Sequence, residues 1–119
     1  MKEEDVGRHK IFQKHDLPGG IVAIAVAVIA DYDRRCREIK KGTLPTPLLS
    51  TYQSYNKIVE EALSHVEEPA RAEFISDISA GRGHKHSFLY GQYTSWSYYA
   101  RKRDIIFYTA VGLGLAEAE

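Results

Sequence analysis

The sequence predicts an all-α protein, a compact helical bundle of about four main helices with a C-terminal helix-turn-helix-like unit. Two observations carry this expectation. Apolar residues recur at three- and four-residue spacing in each long segment, the period that gathers them on one helix face. Between the segments stand proline and glycine breakers: Leu17-Pro18-Gly19-Gly20, Gly42, Thr43 to Pro47, Glu67-Glu68-Pro69 and Gly81-Arg82-Gly83. At 119 residues, residues 1–119 read as a single helical domain able to bury a core.

Residues 1–18 carry mixed charges and end in a breaker, so they read as a mobile arm. The first helix is expected from about Gly20 to Lys41, with Ile21, Ala25, Val28, Tyr32, Cys36 and Ile39 on one face. Arg37, Lys40 and Lys41 suit its negative end, and Gly42 stops it. Its β-branched start makes a strand the competing assignment; the interleaved alanines and the charged continuation favour helix. The ten apolar residues Ile21 to Ala30 span only about 15 Å as a helix, half a bilayer core, so no membrane span is expected. A stretch apolar on every side needs cover on every side, which fits a central position or a homodimer seam.

Thr46-Pro47 reads as the cap and first residue of a second helix reaching about Val66. Its expected face is Leu48, Tyr52, Tyr55, Val59, Ala62 and Val66, widened by Ile58 and Leu63. Residues 20–66 thus form a helical hairpin. Pro69 then opens a third helix to about Ala80, with Phe74, Ile75 and Ile78 apolar. Phe88-Leu89-Tyr90 reads as one short helical turn beginning at Ser87. Thr94 or Ser95 caps a last helix from about Trp96 to Leu113, its end frayed by Gly112 and Gly114. Trp96, Tyr99, Ile106 and Ala110 are expected on its core arc, and Ser95, Tyr98, Arg101 and Lys102 on its outer arc.

Charge points to a partner. Arg82 to Arg103 holds five cations (Arg82, Lys85, Arg101, Lys102, Arg103), two histidines and no carboxylate. The chain as a whole is neutral, so the remainder sums to about −5. Positive charge sorted into one segment beside Trp96, Tyr98 and Tyr99 suits an anionic partner, with double-stranded DNA the first candidate. The lone Cys36 and the charged N-terminus, without a signal-peptide core, point to the cytoplasm.

Enzyme classes find little support. No Walker-type glycine loop, nucleophile elbow or carboxylate pair facing a histidine at helical spacing is present. Glu60-Glu61 and Glu67-Glu68 read as a solvated face and a helix cap. His84-Lys85-His86 lacks zinc-type spacing, so no metal or other cofactor is expected. A phosphate contact suits this glycine-bounded, solvent-exposed loop better.

Residues 69–115 together make a helix, a glycine break, a short turn and a capped helix with a basic face, the order of a helix-turn-helix unit. The start of the last helix would approach the groove through Ser95, Ser97, Tyr98 and Arg101. Lys102 would flank them nearer the phosphates. Arg103 falls on the apolar spacing and is a candidate for a structural pair with Asp77. The strings Ser76-Asp-Ile-Ser-Ala-Gly-Arg-Gly83, Ser95-x-x-Tyr98-Tyr99-x-Arg101-Lys102-Arg103-x-Ile105-Ile106 and Gly112-Leu-Gly-Leu115, with Val28-Ile-Ala-Asp-Tyr-Asp-Arg-Arg35, carry a family resemblance. The chain resembles the ArpU and RinA-like transcriptional regulators of phages and prophages of Gram-positive bacteria. Their C-terminal half looks like the helix-turn-helix of sigma factor region four. The resemblance implies DNA binding through Ser95, Tyr98, Arg101, Lys102 and Arg103. The aromatic, histidine-rich stretch His84 to Tyr93, interrupted by Gly91, departs from the pattern. The expected function is therefore a sequence-specific DNA-binding transcriptional regulator, with Arg82 and Lys85 as phosphate contacts and RNA polymerase as a second candidate partner. The alternative is a small non-enzymatic interaction or inhibitor protein, acting through the basic-aromatic surface or the apolar first helix.

Overall fold

The computed structural model describes residues 17–118, and those residues form helices, turns and loops without a strand. The arm expected over residues 1–18 lies almost wholly outside them. The apolar first segment splits in two: α1 spans Gly19–Ala30 and α2 spans Tyr32–Lys41. The expected single helix bends at Asp31, whose backbone sits in the bridge region at φ −92° and ψ 3°. The hydrogen-bond ladder survives the bend, since the Asp31 amide reaches the Ala27 carbonyl and the Arg35 amide reaches that of Asp31. The Asp31 carboxylate holds the elbow by accepting two 2.7 Å bonds from Arg34. Gly42 ends α2 in the left-handed conformation, as its position predicts.

Helix α3 spans Thr46–Leu63, followed by a 3-10 turn at Glu68–Ala70, α4 over Arg71–Ala80, a second 3-10 turn at His84–His86 and α5 over Ser95–Gly112. Thr46 does not cap α3; the helix begins there, with Pro45 before it and Pro47 in its first turn. Thr94 does cap α5, its hydroxyl accepting from the Ser97 amide at 3.1 Å. The far end of α5 is closed rather than frayed. Gly114 is left-handed, its amide reaches the Val111 carbonyl, and the Leu115 amide reaches that of Ala110.

Helix α5 lies against α3 and α1, α4 lies against α1, and α2 lies against α3. Ile29, Val59, Leu63, Val66, Phe74, Ile78, Tyr98 and Ile105 form the shared core. At Gly112 a Cβ would stand 2.6 Å from the Ile58 side chain, so α5 passes α3 at a distance only glycine permits. Leu48 and Tyr55, expected on the core face of α3, are exposed, while Asn56 is buried. The reason is Arg35, which is itself buried. Its Nε donates to Asn56 Oδ1 at 2.7 Å and its Nη2 to the Val28 carbonyl at 2.6 Å. A buried guanidinium needs such acceptors, and supplying one from α3 fixes which arc of α3 turns inward. No helix among the described residues is long and apolar enough to cross a membrane.

Candidate nucleic-acid interface

The outer and core arcs of α5 differ from the sequence expectation. Tyr98 is fully buried, whereas Trp96 is 59% exposed and Tyr99 36% exposed. Both arcs carry aromatic residues in the first turns of α5, so periodicity does not rank them. A buried polar partner does. The Tyr98 hydroxyl donates to Asp77 Oδ2 at 2.7 Å, inside a core that includes Phe74 stacked on the Tyr98 ring at 5.2 Å. Burial, then the hydrogen bond to Asp77, pushes the Tyr98 hydroxyl well above the usual tyrosine range. Tyr98 is therefore a core residue and does not present a group to a groove. Ile106 and Ala110 do turn inward as expected.

Arg82, Arg101 and Lys102, expected as DNA contacts, are engaged within the fold. Arg82 follows Gly81, which ends α4 in the left-handed conformation, and turns back onto α4. Its Nε lies 3.0 Å from Asp77 Oδ1, and its Nη2 bonds the Ser76 hydroxyl and lies 3.8 Å from Glu73. Asp77 thus takes Arg82 and Tyr98 as partners. Although burial raises the Asp77 carboxyl, hydrogen bonds with Glu73, Ser87, Tyr98 and Arg82 hold it below its ordinary value. Burial and the neighbouring Asp77 push Glu73 up instead.

Arg101 forms a fork on Glu67, with bonds of 2.8 to 3.1 Å, and lies 5.0 Å above the Tyr93 ring. The Tyr93 hydroxyl donates to the same carboxylate at 2.6 Å. Arg101 first, then Tyr93, holds Glu67 down at about 2. Lys102 donates to the Arg82 carbonyl at 2.7 Å, and burial lowers its ammonium from the ordinary lysine value. Ser97 is half-buried, its amide spent on the Thr94 cap.

Lys85 and Ser95 are exposed, and Arg103 is half-exposed on the flank of α5. The His84–His86 segment is a hydrogen-bonded 3-10 turn, and His84 is buried rather than solvent-facing. Its ring Nε2 lies 2.7 Å from the Tyr93 carbonyl, which makes that nitrogen the donor. Its backbone N–H donates to the Tyr99 hydroxyl at 3.1 Å. Among the described residues no group of three or more His, Cys, Asp or Glu is arranged to hold a metal ion.

No family model, curated protein or solved structure matches this chain.

Lys85 and Ser95 meet at a cleft of about 420 Å³ walled by Tyr90 and Tyr99. The sequence did not single out these two tyrosines as site residues. The available signal was the run Phe88-Leu89-Tyr90 in a turn too short to bury three bulky side chains. Leu89 is buried, while Phe88 is 84% and Tyr90 55% exposed. The Ser87 hydroxyl accepts from the Leu89 amide at 3.0 Å and sets that turn. Residues 81–94 join α4 to α5, a longer connection than the turn of three to four residues in a standard helix-turn-helix. Phe74, Asp77 and Tyr98 bridge the two helices through side chains.

Proposed function

We propose that the chain is a non-enzymatic, cytoplasmic DNA-binding regulator of the phage or prophage type. It meets duplex DNA through the exposed start of α5 and the turn before it: Lys85, Ser95 and Trp96. One observation carries this reading. The surface at the capped start of α5 belongs to a segment without a carboxylate from Ile78 to Arg103. Three acids near this end, Glu67, Glu73 and Asp77, already face Arg101 or Arg82. Phosphates would therefore meet cations whose acidic neighbours on α4 and at Glu67 are already paired. The resemblance of residues 76–115 to the ArpU and RinA-like regulators supports the same reading.

The test is duplex binding by fluorescence anisotropy across salt. Affinity should fall steeply between about 50 and 200 mM salt. Lys85→Ala should weaken binding to all sequences alike and reduce the salt slope by about 1. Absence of duplex binding at the lower salt would rule the reading out.

A second reading, a protein that pairs through its first helix, is favoured by Ile24. This side chain of α1 is 50% exposed and has exposed Ala23 and Ala27 beside it.

A further inference from the structure

We infer that the cleft between Tyr90, Tyr99 and the His84–His86 turn takes one unstacked nucleotide, so that the protein prefers DNA carrying an unpaired base. This rests on the DNA-binding reading above and adds a ligand class to it.

The cleft measures about 420 Å³, within the size range of small-molecule sites. Its two tyrosine walls are partly exposed, although burying an aromatic ring is among the largest gains available to a fold. The Tyr99 ring is nevertheless held in place. The Tyr99 hydroxyl accepts from the His84 amide at 3.1 Å. It lies so close to Gly83 that a Cβ there would stand 2.7 Å away. Any side chain at 83 would displace the ring, so glycine and tyrosine together set this wall. Tyr90 stands with its ring 4.8 Å from that of His84, which is fixed in turn by its 2.7 Å contact with the Tyr93 carbonyl. The Tyr99 face, fixed this way, is a stacking platform whose ordering cost is already met, and Tyr90 supplies a second aromatic wall.

The rim supplies the opposite chemistry. Lys85 and His86 are exposed cations or potential cations, and Ser95 offers a hydroxyl at the start of α5. No acidic side chain lines the cleft. Aromatic walls for a flat ring and a lysine for an anion describe a nucleobase with its own phosphate. In an intact duplex the base is stacked and out of reach. Extruding it costs least where it is already unpaired. The charge complementarity argues against an apolar peptide as the occupant.

The test compares an intact duplex with the same duplex carrying one bulged thymidine, by fluorescence anisotropy at about 100 mM salt. The bulged duplex should bind about tenfold more tightly, the size of one base stacked on an aromatic side chain. Tyr90→Ala should remove that preference while leaving affinity for the intact duplex unchanged, because Tyr90 lies outside the proposed duplex contacts. Circular dichroism of the variant should match the parent, since Tyr90 is not a core residue. Equal affinity for both duplexes, or a preference that survives Tyr90→Ala, overturns the inference and leaves the duplex-binding reading standing. Failure to bind either duplex overturns both. Tighter binding to a polyglutamate peptide than to the bulged duplex also overturns it, by assigning the cleft to protein.

Discussion

Tyr98 shows how one hydroxyl decides which side of a helix faces inward. The sequence places Tyr98 and Tyr99 side by side, and the three-four spacing fits either arc. Tyr98 is the inner one because Asp77, itself fully buried, accepts its proton at 2.7 Å. Tyr98→Phe keeps the ring and leaves a buried carboxylate short of one donor. It should destabilise the fold by about 1–3 kcal/mol, read as a lower urea midpoint, with duplex affinity unchanged. Arg101 gives a second residue-scale prediction. Its pair with Glu67 is partly exposed and contributes less than about 1 kcal/mol to stability. Its imprint on titration is larger. Glu67 is held down at about 2, so the pair's contribution is complete above the ordinary glutamate range and fades as pH falls from that range toward 2. Arg101→Ala should return Glu67 toward its ordinary value in a carbon-13 carboxyl titration. An unmoved Glu67 would show that the ion pair is not formed in solution.

At the scale of the helices, most of the fold was legible in the sequence, because helix ends are written in local chemistry. Gly42, Gly81 and Thr94 terminate or begin helices where their types predict. The bend at Asp31 was not legible, since no proline or glycine marks it; the Asp31 carboxylate, bonded to Arg34, sits at the elbow. The inward arc of α3 was equally hidden. It depends on a buried arginine from α2, and hydrophobic spacing carries no information about which polar groups will satisfy each other across helices. The crossing of α5 over α3 gives the prediction proper to this scale. Gly112→Ala would place a methyl group 2.6 Å from Ile58 and should cost about 1–3 kcal/mol by thermal unfolding. Adding Ile58→Ala should restore part of the loss, and a strictly additive double mutant would show that the two residues do not compete for space.

For the whole molecule, charge along the chain and charge in space turn out to be different quantities. Five cations without an acid between 82 and 103 promise a strongly positive face. Folding returns Arg82 and Arg101 to carboxylates of residues 67–77, so only part of that charge is offered outward. The candidate site was legible as a segment and as two of its residues, Lys85 and Ser95. The cleft was not, because its walls come from a turn and a helix separated by residues whose path no periodicity describes. The exposed face of α1 belongs to this scale as well. If α1 pairs with a second copy, light scattering should give a dimer that resists high salt, and Ile24→Glu should make it monomeric. A monomeric parent protein would dismiss the pairing.

The close pass at Gly112 has one more consequence. Helix α5 is a single rod of 18 residues, about 27 Å long, with glycine at one end and the Tyr99 wall near the other. Such a rod transmits a tilt. Bulk added at Gly112 would push against Ile58 and lever the capped end across its support, shifting Tyr99 relative to Tyr90 without altering either tyrosine. Gly112→Ala should therefore shift Tyr99 as well as lower stability, read as a change in the Tyr99 ring signals by NMR.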